Sequence, residues 1–188
     1  MLIYSMSASL DGFIADRGGG FAWSVPSEEQ FRFHIEEVRA LGGALLGRRL
    51  YETMLPWETD PSLRDGEDAS DFADAWAAIP KVVFSRTLDR VEGNARLAQG
   101  SVADEIGTAL ATTGKDVEIG GADLASTAIE RGLVDEFRIL RNPIVVGGGS
   151  PFFPPVDTHI DLELIETRTF ADRVVFERYR RARSGSRG

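Results

Sequence analysis

The sequence predicts an α/β fold in which a mixed sheet carries helices on its faces and ends in an antiparallel hairpin. Three observations lead there. Short apolar runs at Met1–Met6, Ala44–Gly47 and Lys81–Thr87 alternate with stretches of helical period. Val117 to Phe137 reads as one complete strand, helix, strand unit. Leu162–Thr169 and Arg173–Arg180 alternate as two strands turned at Ala171-Asp172. With 188 residues, 43% of them apolar, one domain over residues 1–180 is expected, and Arg181 to Gly188, basic and small, reads as a frayed tail.

Taken in order, the first strand passes into Ser7-Ala8-Ser9-Leu10-Asp11-Gly12, where Asp11-Gly12 marks a turn. Turn formation alone accounts for that pair. A strand-end loop also places Ser9 and Asp11 beside a crevice, as strand ends in open α/β sheets commonly do. Gly18-Gly19-Gly20 is a flexible corner. Ser27 and Gln30 then fit a capping box that opens an amphipathic helix to about Leu41. Glu28 in its first turn is favoured by the helix dipole. Lying just behind Trp23 and Pro26, it is also placed to be partly desolvated and to hold a proton near neutral pH.

After the second strand, Arg48 and Arg49 begin a helix directly beyond Gly47. Two guanidiniums beside free helix N–H groups suit a phosphate, or form an exposed pair on an acidic surface. Glu58 to Asp71 reads as a solvated loop, and Phe72, Trp76 and Ile79 as one face of a short helix. The third strand ends in hydroxyls and a guanidinium, Ser85 and Arg86. Ser101 to Thr113 is a helix with Val102, Ile106 and Leu110 on one side. The Thr113-Gly114-Lys115-Asp116 that follows lacks the first glycine and the Ser or Thr of a phosphate loop, so a kinase or NTPase reading falls away.

Val117 and Ile119 run into Gly120-Gly121, which opens a helix with unobstructed N–H groups and so attracts phosphate, or simply packs as a tight turn. Leu124, Ala125, Ala128 and Ile129 put one helix face on the sheet, and Gly132 closes the helix. Asp135–Leu140 is a further strand, and Pro143–Phe153 an apolar run broken by glycines.

A formal charge of −9 argues against nucleic acid or anionic membrane as partner. No apolar run approaches the roughly 20 residues that cross a bilayer, and a cytoplasmic protein is expected. The absence of cysteine removes disulfides, thiolate nucleophiles and cysteine zinc sites. His34 and His159 are not spaced as metal ligands, so no metal is expected.

The ordered set SLDGFIA, LLGRRLYE, VVFSRT, IGGADL, GLVDEF and NPIVVGGGSPFF resembles the dihydrofolate reductase-like superfamily. More narrowly it is similar to the reductase domain of bacterial riboflavin biosynthesis and its stand-alone relatives, over roughly residues 1 to 180. The resemblance implies a three-layer α/β fold, a mostly parallel central sheet with an antiparallel C-terminal hairpin, that binds NADPH across the strand ends, and a homodimer. It puts Gly47, Arg48 and Arg49 along the pyrophosphate and adenosine, Ser85 and Arg86 near the adenosine 2′-phosphate, and Gly120-Gly121 against the pyrophosphate. Ser9, Leu10 and Asp11 would border nicotinamide and substrate, with Trp23 reaching in from a loop. Trp23-x-x-Pro26-x-Glu28 is similar to the dihydrofolate reductase segment that carries the acidic proton relay.

Two departures stand out: Leu50 where the pattern has threonine, and Ala122 in place of a third glycine. The implied chemistry is hydride transfer to a polarised C=N or C=O carbon of a small heterocyclic, pyrimidine- or pterin-like substrate, with a proton from Glu28, Asp11 or water. The alternative, motivated by Leu50 and Ala122, is a non-catalytic nucleotide- or pterin-binding homologue. Lack of cysteine excludes a fused zinc deaminase of the cytidine type.

Overall fold

The apolar runs share one sheet in the computed structural model, which describes residues 1–182. The first half of the chain forms β1 (Leu2–Ser9), β2 (Phe13–Asp16), α1 (Glu28–Ala40), β3 (Leu41–Gly47), α2 (Arg48–Met54), α3 (Pro56–Thr59), α4 (Glu67–Ala78) and β4 (Lys81–Phe84). The second half adds β5 (Ala95–Leu97), α5 (Val102–Thr112), β6 (Asp116–Gly120), α6 (Ala122–Glu130), β7 (Glu136–Asn142), β8 (Gly149–Pro151), β9 (Leu162–Thr169) and β10 (Val175–Arg181).

Strand order is β5-β4-β3-β6-β1-β7-β10-β9, parallel from β5 to β7, with β10 antiparallel to both of its neighbours. β2 and β8 form a separate antiparallel ribbon. Alternation along the strands splits the core in two. Leu2, Tyr4, Ile119 and Phe137 face α6 and α5, meeting Leu124, Ala125, Ala128 and Ile106. Ile3, Leu46 and Val83 face α1 and α4, meeting Ile35, Val38, Phe72 and Trp76. This is the three-layer, dihydrofolate reductase-like architecture that the sequence predicts.

One feature of register shapes everything at the strand ends. β1 and β6 pair only from Leu2↔Val117 to Tyr4↔Ile119. β1 then continues beside β7 as far as Ser9↔Asn142, while β6 stays with β3 to Leu46↔Gly120. β1 therefore runs on past the end of β6 without a ladder partner on that side among the described residues, and the space along this free edge is the fork.

The structure corrects the sequence reading in three places. Glu58 to Asp71 is not a solvated loop but the end of α3, a 3-10 turn over Pro61–Arg64 and the start of α4. Its acids favour helix starts: Asp60 accepts the Ser62 N–H, and Glu67 and Asp68 occupy the first turn of α4. Glu58 is only 6% exposed and pairs with the buried Lys81 at 2.9 Å. That lysine also donates to the carbonyls of Trp76 and Ile79, closing the end of α4 without a glycine. The three-residue strands β5 and β8 are too short to show a period. The frayed tail does not begin at Arg181, whose N–H donates to the Asp135 carbonyl, while that of Ala182 donates to Asp161; residues 183–188 of that expected tail lie outside the described residues.

Glu136 fastens the hairpin to the parallel sheet. Its fully buried carboxylate accepts from Arg138, from Arg178 at 2.7 Å and from Arg180 at 3.4 Å. Burial alone would push its pKa up, but the hydrogen bonds from Arg178 and Arg138 outweigh that and hold it below the usual value. Glu136→Gln should leave buried guanidiniums uncompensated and cost roughly 3 kcal/mol or more; thermal melting of the purified variant measures it.

Candidate active site

Parallel strands end at the same edge, so Gly47 of β3, Ser85 and Arg86 beyond β4, and Gly120-Gly121 of β6 are brought there together. Gly121 takes φ +97°, and a Cβ on it would lie 3.6 Å from the backbone of Gly47. A Cβ on Gly120 would stand 2.3 Å from Leu50 Cδ2. Leu50 thus fills the space over Gly120, where the resemblance would place a hydroxyl. No side chain caps α6, so the N–H groups of its first turn stay available to an anion.

Arg48, Arg49 and Arg86 are exposed on this rim. Arg48 has only a loose contact with Glu52, at 3.8 Å. Arg49 lines an open cavity of about 670 Å³ whose far wall is Asp16, Arg17, Gly149 and Ser150 of the β2–β8 ribbon. Ser85 Oγ accepts the N–H groups of Thr87 (3.1 Å) and Leu88 (3.0 Å), so it holds its own turn, with Arg86 exposed beside it.

Several expected site residues do other work. Ser9 is fully buried; its hydroxyl donates to Asp11 Oδ1 at 2.7 Å and accepts the Phe13 N–H at 3.0 Å, so its side chain is engaged in the strand-end turn. Asp11 also accepts the N–H groups of Val146 (3.1 Å) and Gly147 (2.8 Å). The Ser9 hydrogen bond first, and these amides with it, hold the Asp11 pKa below the usual carboxylate value, which makes it an ionised fastener and a poor proton donor. Leu10 is exposed, and its N–H donates to the Ile144 carbonyl at 2.7 Å. Together these bonds hold the 144–147 loop and place the ribbon beside the strand ends.

Glu28 follows the capping box as predicted, but its side chain is 90% exposed and only 3.7 Å from Arg32, so the expected desolvation is absent. Helix geometry turns it outward while Gln30 is buried. Trp23 lies half-buried in a 3-10 turn, and its indole N–H is buried without a partner among the described residues. That orphan donor fits a polar ligand or a water.

Sequence reasoning missed the polar side chains on the α1 face of the central strands. Ser5 and Ser7 are partly exposed on the α1 face of β1, although β1 is central in the sheet. Glu118 of β6 lies on that face at the base of the fork, opposite Ile3 and Ala44. Burial first, then the Glu37 carboxylate, push its pKa up to about 7, with Arg138 opposing. His34 on α1 is pushed down to about 4 by burial, which keeps its imidazole neutral at pH 7. The available signal was a carboxylate set between Val117 and Ile119 in an otherwise apolar strand.

A parallel sheet in which a central strand outruns its neighbour beside a glycine corner, with arginines along the same edge, is the architecture of a dihydrofolate reductase-like protein. Residues 1–176 match the RibD C-terminal domain, and the chain belongs to that family, one of reductase type. It is 30% identical over 179 residues to the uncharacterized protein YyaP of Bacillus subtilis (strain 168), covering 93% of this chain and 91% of that one. A putative riboflavin biosynthesis protein from Shewanella sp. PV-4 superposes with a TM-score of 0.77 at 25% identity, over 97% of this chain and 99% of the other. Dihydrofolate reductase from Enterococcus faecalis, complexed with NADP(H), shares the fold with a TM-score of 0.64 at 17% identity, over 96% of both chains.

Asp11→Asn should loosen the 144–147 loop, read as faster amide hydrogen exchange at Val146 and Gly147. The sign with pH follows from the lowered pKa. The wild-type fastening is complete above the ordinary carboxylate range and is lost as pH falls through the depressed value.

Proposed function

We propose that the protein is an NADPH-dependent reductase that transfers hydride to a small heterocyclic, pyrimidine- or pterin-like substrate. The observation that supports this best is the fork between β1 and β6, since it opens beside the Gly120-Gly121 corner, at the strand edge that carries the arginines. Ligands in open α/β sheets lie where neighbouring strands diverge. The close backbone approach at Gly121 and the uncapped first turn of α6 suit a pyrophosphate. Arg86, with Arg48 and Arg49, suits the dianionic 2′-phosphate that distinguishes NADPH from NADH.

Along the fork, β1 runs on from Ser5 to Ser9 without a ladder partner on the β6 side among the described residues, which suits an in-plane amide such as that of nicotinamide. When bound, the cofactor would supply the hydride. The chain's part is to hold the two reacting carbons close and to exclude water, with the β2–β8 ribbon as one wall.

A second reading rests on Leu50, which covers Gly120 and brings no hydroxyl: a homologue that binds nucleotide or pterin without turnover. For assembly we propose a homodimer through β9, an edge strand left open on both faces, with Leu164 56% and Ile165 42% exposed.

Fluorescence titration should show NADPH binding more tightly than NADH, and Arg86→Ala should weaken NADPH roughly tenfold or more while leaving NADH unchanged. An unchanged NADPH to NADH ratio would count against the proposal. Oxidation of bound NADPH by a pterin, folate or pyrimidine substrate separates the enzyme from the silent homologue, which would bind and not oxidise. In light scattering the protein should weigh twice its 20.6 kDa chain, and Leu164→Arg should return it to a monomer.

A further inference from the structure

At the base of the fork stands a carboxyl group that no part of the fold uses. We infer that Glu118 is the acid of this cleft, giving its proton to the nitrogen or oxygen of the acceptor double bond as the neighbouring carbon takes up hydride. The inference rests on the reductase reading above.

The other enclosed glutamates are all committed. Glu136 takes three guanidiniums, Glu105 takes Arg96 and the amides of Gln99 and Gly100, and Glu58 takes Lys81 and the Asn94 N–H. Glu118, on a central strand beneath α1, makes no hydrogen bond or ion pair among the described residues. A carboxyl so placed is costly unless it is neutral or serves a ligand.

Its neighbours supply no counter-charge. Ile3 and Ala44, beside it on β1 and β3, are apolar. From α1, Glu37 opposes its ionisation and His34 stays neutral. From β7, Arg138 favours ionisation, but its nitrogens already serve Glu136 and Glu37. Glu136 shares its charge with Arg178 and Arg180 of β10. Asp116, two residues earlier on β6, is held by the Met1 ammonium at 2.9 Å. The Glu118 proton is thus retained up to about pH 7, where an acid both holds its proton and yields it readily.

Position completes the case. Glu118 lies two residues before Gly120 on the same strand face, about 7 Å along it. The partly exposed Ser5 and Ser7 extend along the same face of β1 toward the strand ends. Asp11, fastened and ionised, and Glu28, exposed, leave no rival carboxylic acid among the expected ones. In the step, hydride from the reduced nicotinamide forms the C–H bond and the π pair moves onto the heteroatom. The Glu118 O–H bond breaks as the new N–H or O–H bond forms. The nicotinamide is left oxidised by two electrons, and water entering past Ser5 and Ser7 returns a proton to the carboxylate.

The test compares wild type, Glu118→Gln and Glu118→Asp with NADPH and 7,8-dihydropterin as a C=N probe from pH 5.5 to 8.5, alongside carbon NMR of glutamate-carboxyl-labelled protein. Wild-type kcat should be level below about pH 7 and fall tenfold per pH unit above it. Glu118→Gln should lose at least a hundredfold in kcat with a flat profile, keep its NADPH Kd within twofold, and lack a carboxyl resonance that titrates near 7 in wild type. Glu118→Asp should recover part of the rate together with the pH dependence. Wild-type turnover that Glu118→Gln leaves intact, or a Glu118 resonance titrating in the ordinary carboxylate range, overturns the acid alone. Wild-type protein that binds no NADPH, or binds it and does not reduce the probe, overturns the reductase reading and the acid with it.

Discussion

The early end of the β1–β6 ladder is the constraint on which the site depends. β6 is drawn to β3 up to Gly120, where the absence of a side chain lets Leu50 close over the strand. β1 is drawn the other way, paired with β7 through Ser9. The β1–β6 ladder ends at Tyr4↔Ile119, and beyond it β1 keeps only its β7 side. The free edge leaves backbone polar groups along β1 in need of a partner, and polar backbone left unpaired is costly. Water or a ligand must meet that need, which is why the fork is a better guide to function than any single side chain.

Charge is distributed to the same end. The chain carries a net −9, yet its strand-end rim presents Arg17, Arg48, Arg49 and Arg86. Elsewhere the acids are consumed in structure: Glu136 anchors the hairpin, Glu58 pairs with Lys81 under α4, and Glu105 is held at about pKa 2, chiefly by Arg96, at the start of α5. Asp11 belongs with these, since it fixes the loop that carries the ribbon. Glu118 differs from all of them in having strand neighbours that are apolar and a nearest cation already engaged. The same residue type therefore serves as a fastener in one place and as a held proton in another, and the difference lies in what surrounds it.

Local signals in the sequence carried much of the fold. The Ser27 and Gln30 capping box, the αL glycine at Gly132 and the hairpin turned after Phe170 all depend on neighbours within a few residues, and each is present. What failed was of two kinds. Glu58 to Asp71 is acidic enough to look solvated, but its acids cap helices and one of them is buried against Lys81, a partner 23 residues away from Glu58. Ser9 and Asp11 sit at the right strand end, but which way their side chains turn is set by the amides of Val146 and Gly147, far along the chain. The fork and the isolation of Glu118 are matters of register among β3, β6, β1 and β7, which no local pattern encodes.

A crystal structure of the protein with NADPH bound is the most direct measurement. The expected result is a nicotinamide lying between Ser5–Ser9 of β1 and Gly120-Gly121, with its pyrophosphate at the start of α6 and Arg86 on the 2′-phosphate. A dinucleotide bound elsewhere, or a fork closed by packed side chains in the crystal, would contradict it.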